Sequence, residues 1–272
     1  MSHEEIKQLL LANRISPNKF LGQNFMVEPA FYSKLSSYAE LNTLDVVLDV
    51  GAGFGFLTRY LSDKCRGVVA VEKDPRLAAF LRQQFRTFET VTLVEGDVLK
   101  VELPSFNKVI AIPPYSLSSH LIMWVLERRV DCAVMILQKE FAQRLVASVG
   151  SGEYGWLTVF VHQQAEAKLL DAVSKDMFYP EPEVNSVIVN LKPWRIKPFE
   201  VQNIAVFVRL VKWLFTQRNK KLAKAMVPFI KSNFKFSKQD AEKLAHSLLH
   251  CENRVRDLSP KDFGAIANAL PN

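Results

Sequence analysis

The sequence predicts an α/β chain in two parts: an open, mostly parallel sheet with helices on both faces, then a small all-helical domain. Three observations carry this expectation. Short apolar, β-branched runs alternate with helix-like segments through the first two-thirds of the chain. Three alternating glycines follow the first of these runs. Past Pro193 the strand-like runs stop and helical periodicity takes over. The boundary divides residues 1–193 from residues 194–272.

Val46–Val50, Val68–Val71, Val91–Val94, Lys108–Ile112 and Cys132–Leu137 read as strands. Leu57–Lys64, Pro75–Phe85 and Ser118–Glu127 read as the helices between them, with a further helix from about Lys139 to Val149. Ala165–Val173 and Val184–Asn190 are expected to close the sheet edge as an antiparallel pair. Helices follow at about Val201–Thr216, Lys220–Lys231, Lys238–Leu249 and Pro260–Leu270, with Ser237 and Ser259 as N-caps of the last two.

A chain of 272 residues, 49% hydrophobic and 23% charged, has the balance of a soluble globular protein. No apolar window is long enough for a membrane span, and the first twenty residues do not read as a secretory signal. Cys65, Cys132 and Cys251 are widely separated, which argues against a disulfide scaffold or a structural zinc site. His246 and His250, one helical turn apart, are read as decorating an amphipathic helix, so no metal is expected. The location expected is the cytoplasm, and the state a monomer.

The net charge of +7 conceals a division. Up to Leu191 there are 19 Lys and Arg against 22 Asp and Glu; from Lys192 onward there are 16 against 6. The basic end is suited to a polyanion while the other end does chemistry. Arg218, Lys220, Lys221 and Lys224 would place a positive stripe on a helix, and Arg254 and Arg256 would add to it.

The first strand ends in Asp49-Val50-Gly51-Ala52-Gly53-Phe54-Gly55, whose glycines let a backbone pass close to a ligand. A tight turn without a ligand explains the glycines equally well. Two acids shift the balance. Glu72 closes the second strand at the distance from which an acid holds ribose hydroxyls, and Asp97 follows the third, placed to accept from an adenine amine. Together they favour S-adenosylmethionine as the cofactor. NAD is the weaker alternative, because Phe56 stands where its fingerprint needs a final glycine.

Ala111-Ile112-Pro113-Pro114-Tyr115 nearly spells the active site of enzymes that methylate the exocyclic amine of adenine. That pattern has Asn or Asp, any residue or Pro, Pro, then an aromatic; here Ile112 stands in the polar place. An adenine amine is a poor nucleophile, and the base must be flipped out and its amine held in line. Without a side-chain acceptor at position 112, the backbone carbonyl of Pro113 remains, and Tyr115 offers a stacking platform of roughly 1–3 kcal/mol. Losing one such acceptor costs on the order of 10²–10³-fold in rate. Ser116 or Ser118 could supply a substitute oxygen.

Across nearly its whole length the sequence resembles the KsgA-type small-subunit rRNA adenine dimethyltransferases. The resemblance is carried by Asn18–Met26, Gln138–Leu145 with Tyr154-Gly155, Phe178–Ser186, Gln217–Lys221 and Arg254–Ser259. It implies a Rossmann-like S-adenosylmethionine-dependent methyltransferase domain with a small C-terminal helical domain. It implies methylation of adjacent adenosines in the 3′-terminal hairpin of small-subunit rRNA during ribosome biogenesis. Carried over by position, Asn24, Met26, Gly51, Gly53, Glu72, Asp97 and Ile112 would line the cofactor. Ile112, Pro113, Tyr115 and Phe178 would form the catalytic slot, with Tyr115 and Phe178 on opposite faces of the base. Two functions are therefore expected to compete: methylation, reduced or incomplete, and assembly-factor binding to immature small subunits with little or no methyl transfer. Methylation of large-subunit rRNA by a related resistance-type enzyme is a third reading.

Overall fold

The computed structural model describes residues 3–271. Met1, Ser2 and Asn272, which the sequence boundaries include, lie outside the described residues. The chain divides into two compact units. The first runs to Ala142 and resumes over Ala167–Pro193, and the second joins Gln143–Glu166 to the chain from Trp194. Residues 143–166 thus leave the part to which the sequence reading gave them. Tyr154 explains why: it is buried in the helical core and its hydroxyl donates to the Leu258 carbonyl at 2.8 Å.

In the first unit, helix α1 (His3–Ala12) carries Glu4 and Glu5 in its first turn, where the helix dipole favours them, and buries Ile6 and Leu10. Strand β1 (Phe25–Met26) and helix α2 (Ala30–Tyr38) precede the main sheet. Then follow β2 (Val46–Val50), α3 (Phe56–Ser62), β3 (Gly67–Glu72), α4 (Pro75–Gln84), β4 (Val91–Glu95), β5 (Lys108–Ala111), α5 (Ser118–Leu126), β6 (Cys132–Gln138) and α6 (Lys139–Gln143). The sequence places β2 to β6 within one residue at either end; β2, β3, β5 and β6 are buried and read as near-continuous apolar runs, while β4 is a partly exposed edge strand. It anticipates neither α1 nor α2. Helix α6 stops after 5 residues instead of reaching Val149. Just past it, the Arg144 carbonyl accepts from the Thr158 hydroxyl at 2.6 Å.

After α7 (Trp156–Gln164) come β7 (Ala165–Val173), β8 (Phe178–Tyr179) and β9 (Ser186–Pro193). The seven-stranded sheet has the order β4-β3-β2-β5-β6-β9-β7. Strands β2 to β6 pair in parallel and β9 runs antiparallel to β6. From β2 the chain adds strands on one side, then crosses to add β5 on the other. A crevice forms at the carboxyl ends of strands that diverge in this way. Separately, β1 pairs antiparallel with β8, Met26 opposite Phe178.

The second unit packs α7 with α8 (Ile204–Phe215), α9 (Leu222–Phe234), α10 (Lys238–Ser247) and α11 (Pro260–Asn268). Ser237 and Ser259 cap α10 and α11, each side chain accepting an amide from the first turn. Phe207, Leu210, Leu214, Met226, Phe229 and Phe263 form its interior. No described helix is long and apolar enough to cross a membrane.

The opposite end of the first unit's sheet is closed by a buried ion pair. Lys108 Nζ lies 2.8 Å from Asp45 Oδ2 and donates to the Glu40 carbonyl. Burial pushes the Asp45 carboxyl up, but Lys108, Asn107 and the Asn42 amide outweigh it and hold the group below its ordinary value. Its contribution is present above the unfolded value near 3.8 and is lost as pH falls through the lower folded one. Replacing one partner leaves a buried charge uncompensated, so Lys108→Met should lower stability by about 3–5 kcal/mol at neutral pH. Urea unfolding checks this, and a change below 1 kcal/mol, on the order of a surface pair, would contradict it.

Candidate active site

The site grows from the turn after β2. Gly51, Gly53 and Gly55 have φ of +76°, +60° and +78°, a region that side chains with a Cβ rarely adopt. A Cβ on Gly51 would stand 2.9 Å from Pro114 Cδ, so this glycine lets the loop after β5 close against the loop after β2. A Cβ on Gly55 would meet Leu81 and Phe85 instead, so the third glycine serves packing against α4 rather than a ligand.

Glu72, at the end of β3, is buried and ties this turn together. Its two oxygens accept from the Gly53 amide and the Asp74 amide, both at 2.8 Å. Burial raises its pKa, and those amide bonds offset part of the rise. Each oxygen keeps a second lone pair for a hydroxyl. Asp97 accepts from the Leu99 amide and from Lys73 Nζ, both at 3.1 Å. Burial raises its pKa, but these bonds outweigh it and hold the carboxyl below its ordinary value.

One cleft, about 920 Å³ with its open mouth included, is lined by Asn24, Gly51, Gly53, Glu72, Asp97, Ile112, Pro113, Tyr115 and Phe178. Met26 does not line it; it borders a smaller adjoining recess with Asn24, Asp49 and Ile112. The β1–β8 pairing brings Asn24 and Phe178 to this cleft from distant parts of the sequence. Phe178 is fully buried, so it forms a wall beneath the slot and presents no free face for stacking.

Ile112 is half-buried and packs with the apolar cluster that includes Met26, Leu57 and Phe178. The Tyr115 hydroxyl is 2.6 Å from Ser186 Oγ, which is itself fully buried, so the ring is anchored at its far end. Ser118 cannot replace the missing acceptor, because it is buried and its hydroxyl donates to the Tyr115 carbonyl at 2.8 Å. Ser116 is exposed and lines the cleft.

Four contacts in and around the site escaped the sequence reading. Ser186 anchors Tyr115. Gln23 donates to Asp74 at 2.8 Å, fixing the N-terminal segment to the start of α4. Arg76 holds Asp74 down to about 2. An Asp immediately before a Pro is a helix-start signal, and it was available in Asp74-Pro75. Asp49, fully enclosed, accepts from Thr58 at 2.6 Å. Burial pushes it up to about 7, with Glu72 adding to the rise.

The basic stripe is arranged differently from expectation. Helix α8 ends at Phe215 and α9 begins at Leu222, so Arg218, Lys220 and Lys221 lie in a loop and only Lys224 is on a helix. Arg218 donates to the Ser151 and Gly152 carbonyls, and Lys221 pairs with Glu252 at 2.6 Å. Lys220 donates to Gln217, while Arg254 and Arg256 both donate to Asn219.

The cleft fits a nucleoside better than a dinucleotide. Val71, Leu77 and Val98 give it an apolar lining, Glu72 and Asp97 supply acceptors, and its one lysine, Lys73, is engaged by Asp97. A pyrophosphate would face two carboxylates, whereas a cationic nucleoside is attracted by them.

The chain matches the ribosomal RNA adenine dimethylase family over residues 14–271. It is 36% identical over 273 residues to the probable ribosomal RNA small subunit methyltransferase A of Thermococcus kodakarensis, covering 98% of this chain and 95% of that one. It is 35% identical over 250 residues to the protein of that name from Methanosarcina acetivorans, covering 91% of each. Among solved structures it resembles a dimethyladenosine transferase from Plasmodium falciparum, with TM-score 0.77 and 27% identity over 89% of this chain and 95% of that one. The 23S rRNA methyltransferase ErmE is similar with TM-score 0.65 and 26% identity, over 91% and 99%.

Because the folded state holds a proton on Asp49 that the unfolded chain releases near pH 3.8, this group lowers stability as pH rises from there to about 7. Asp49→Asn keeps the acceptor for Thr58 and removes the titration. The stability of the variant relative to the parent should therefore rise across that interval and level off above it. Urea unfolding at several pH values checks the trend, and a pH-independent difference would remove the assignment.

Proposed function

Because this chain belongs to the ribosomal RNA adenine dimethylase family, whose methyl donor is S-adenosylmethionine, we propose that it methylates adjacent adenosines in the 3′-terminal hairpin of small-subunit rRNA during ribosome biogenesis, at reduced rate or incompletely. The setting proposed is the cytoplasm and the acting species a monomer. The observation that carries this reading is the closure of the Ile112–Tyr115 loop on Gly51, which sets a base platform at the rim of an acid-lined nucleoside cleft.

The cofactor supplies an electrophilic methyl group. Glu72 is suited to the ribose hydroxyls, Asp97 to the adenine amine, and Gly51 and Gly53 to close passage of the backbone. Asn24 would bound the same cleft from the N-terminal segment, with Met26 beside it in the adjoining recess. On the substrate side, the Tyr115 ring offers a face for the flipped adenine, and its bond to Ser186 fixes the ring plane. The Pro113 carbonyl accepts one hydrogen of the target amine. Ile112 offers none, and its side chain instead extends the apolar wall. Lys220, Lys221, Lys224, Arg218, Arg254 and Arg256 belong to the strongly basic part of the chain and suit phosphate positioning, which sets register without reading sequence.

A second reading, an assembly factor with little methyl transfer, is favoured by one feature: Ile112 is packed and Ser118 is buried, which leaves the exposed Ser116 hydroxyl as the candidate substitute of the two serines. Mass spectrometry of the hairpin from the source organism separates the two. Unmodified adenosines would reject methylation, and complete dimethylation would reject the assembly-only reading.

Restoring the acceptor with Ile112→Asn should raise single-turnover methyl transfer on immature small subunits by roughly 10²-fold or more. No gain despite unchanged cofactor and RNA binding would count against this account of position 112. Glu72→Ala should weaken S-adenosylmethionine binding at least about tenfold, the loss of one charge-assisted hydrogen bond. Calorimetry measures it, and unchanged affinity would defeat the ribose assignment.

A further inference from the structure

We propose that His246, Cys251 and Glu252 form a site for a thiophilic divalent cation of the zinc type in the helical unit. The imidazole nitrogen, thiol sulfur and carboxylate oxygen lie within 4.8 Å of one another. Tetrahedral zinc, with bonds of about 2.0–2.3 Å, spaces its ligands by roughly 3.3–3.8 Å. Small rotations of two exposed side chains close that difference, because His246 and Glu252 are exposed while Cys251 is half-buried.

Sequence spacing conceals this cluster. His246 lies in the last turn of α10, and the chain then doubles back to carry Cys251 and Glu252 to the imidazole. Backbone bonds fix the return. The Cys251 carbonyl accepts from the Ala223 amide at 2.9 Å, the Asn253 carbonyl accepts from the Leu222 amide at 2.8 Å, and Lys221 bridges to Arg254. The donors therefore stand on a frame anchored to the first turn of α9.

One nitrogen, one sulfur and one oxygen make a borderline-soft donor set, which suits zinc and disfavours magnesium or calcium, whose sites are oxygen-rich. Thiolate and carboxylate together neutralise the charge of a divalent ion, and three protein ligands leave a fourth position for water. Lys221 Nζ sits 2.6 Å from Glu252 Oε2, leaving Oε1 available to the ion and orienting it, as an outer-shell partner does. A bound cation would staple the end of α10 to the segment that carries Arg254.

The test uses the full chain loaded with Zn²⁺ or Co²⁺ and desalted. One equivalent of metal per chain is expected, with thiolate-to-cobalt charge-transfer absorption. Cys65 and Cys132 are buried, so Cys251 is the thiol that a disulfide reagent meets in the folded protein, and zinc should protect it. His246→Ala and Cys251→Ser should each weaken zinc binding by at least about 100-fold, since each removes one of three protein ligands. A Cys251 thiol that reacts equally fast with and without zinc would overturn the proposal. So would equal zinc retention by the parent and Cys251→Ser. Neither readout depends on methyl transfer.

Discussion

The site depends on how closely two loops approach at the point where the sheet reverses its order of assembly. Gly51 opens the loop after β2 and Pro114 lies in the loop after β5; a single methyl group on Gly51 would collide with the proline ring. That contact sets the height of Ile112, Pro113 and Tyr115 over the cleft. Gly22 comes close on the other side, where a Cβ would stand 3.2 Å from Pro114 Cβ. The proline is therefore held between two glycines, both with positive φ. Rigidity at this point serves chemistry, since a misplacement of about 1 Å of a reacting group can cost on the order of 10²-fold in rate.

At position 112, binding and catalysis separate. A base on Tyr115 gains stacking free energy whether or not its amine is activated, so Ile112 leaves that gain intact. On the proposed reading, what position 112 would withhold is an interaction that strengthens as the amine becomes pyramidal, which would lower the rate without lowering affinity. Ile112 also contributes apolar packing with Met26, Leu57 and Phe178 that a polar residue would not. On the proposed reading, isoleucine at this position would trade transition-state stabilisation for core cohesion within one short loop.

Much of this was legible in the sequence, for identifiable reasons. Strands β2, β3, β5 and β6 were placed closely because burial leaves near-unbroken apolar runs such as Val68–Val71. Glu72 and Asp97 were legible because strand ends fix their place. Tertiary partners were not. Nothing local marks Ser186 as the partner of Tyr115, or Tyr154 as a core residue of the helical unit, whose hydroxyl bond spans 104 positions. The stripe from Arg218 to Lys224 misled because the break after Thr216 was expected to close by Lys220, whereas α9 begins only at Leu222. Phe178 was assigned a face against the base by the family resemblance alone, whereas in the structure it is fully buried on β8.

Two enclosed acids, Glu72 in the cleft and Asp49 in the adjoining recess, bear on the charge of the ligand proposed there. Asp49 and Glu72 are both enclosed, and burial raises the pKa of each. Two carboxylates in a low-dielectric pocket oppose ionisation together, so the isolated fold carries an electrostatic cost there. A neutral nucleoside would leave that cost in place. A cationic one removes part of it, because a positive charge nearby favours the ionised form of both groups. The unfavourable burial and the selectivity have one origin, as expected where a local rule of folding is broken at a functional site.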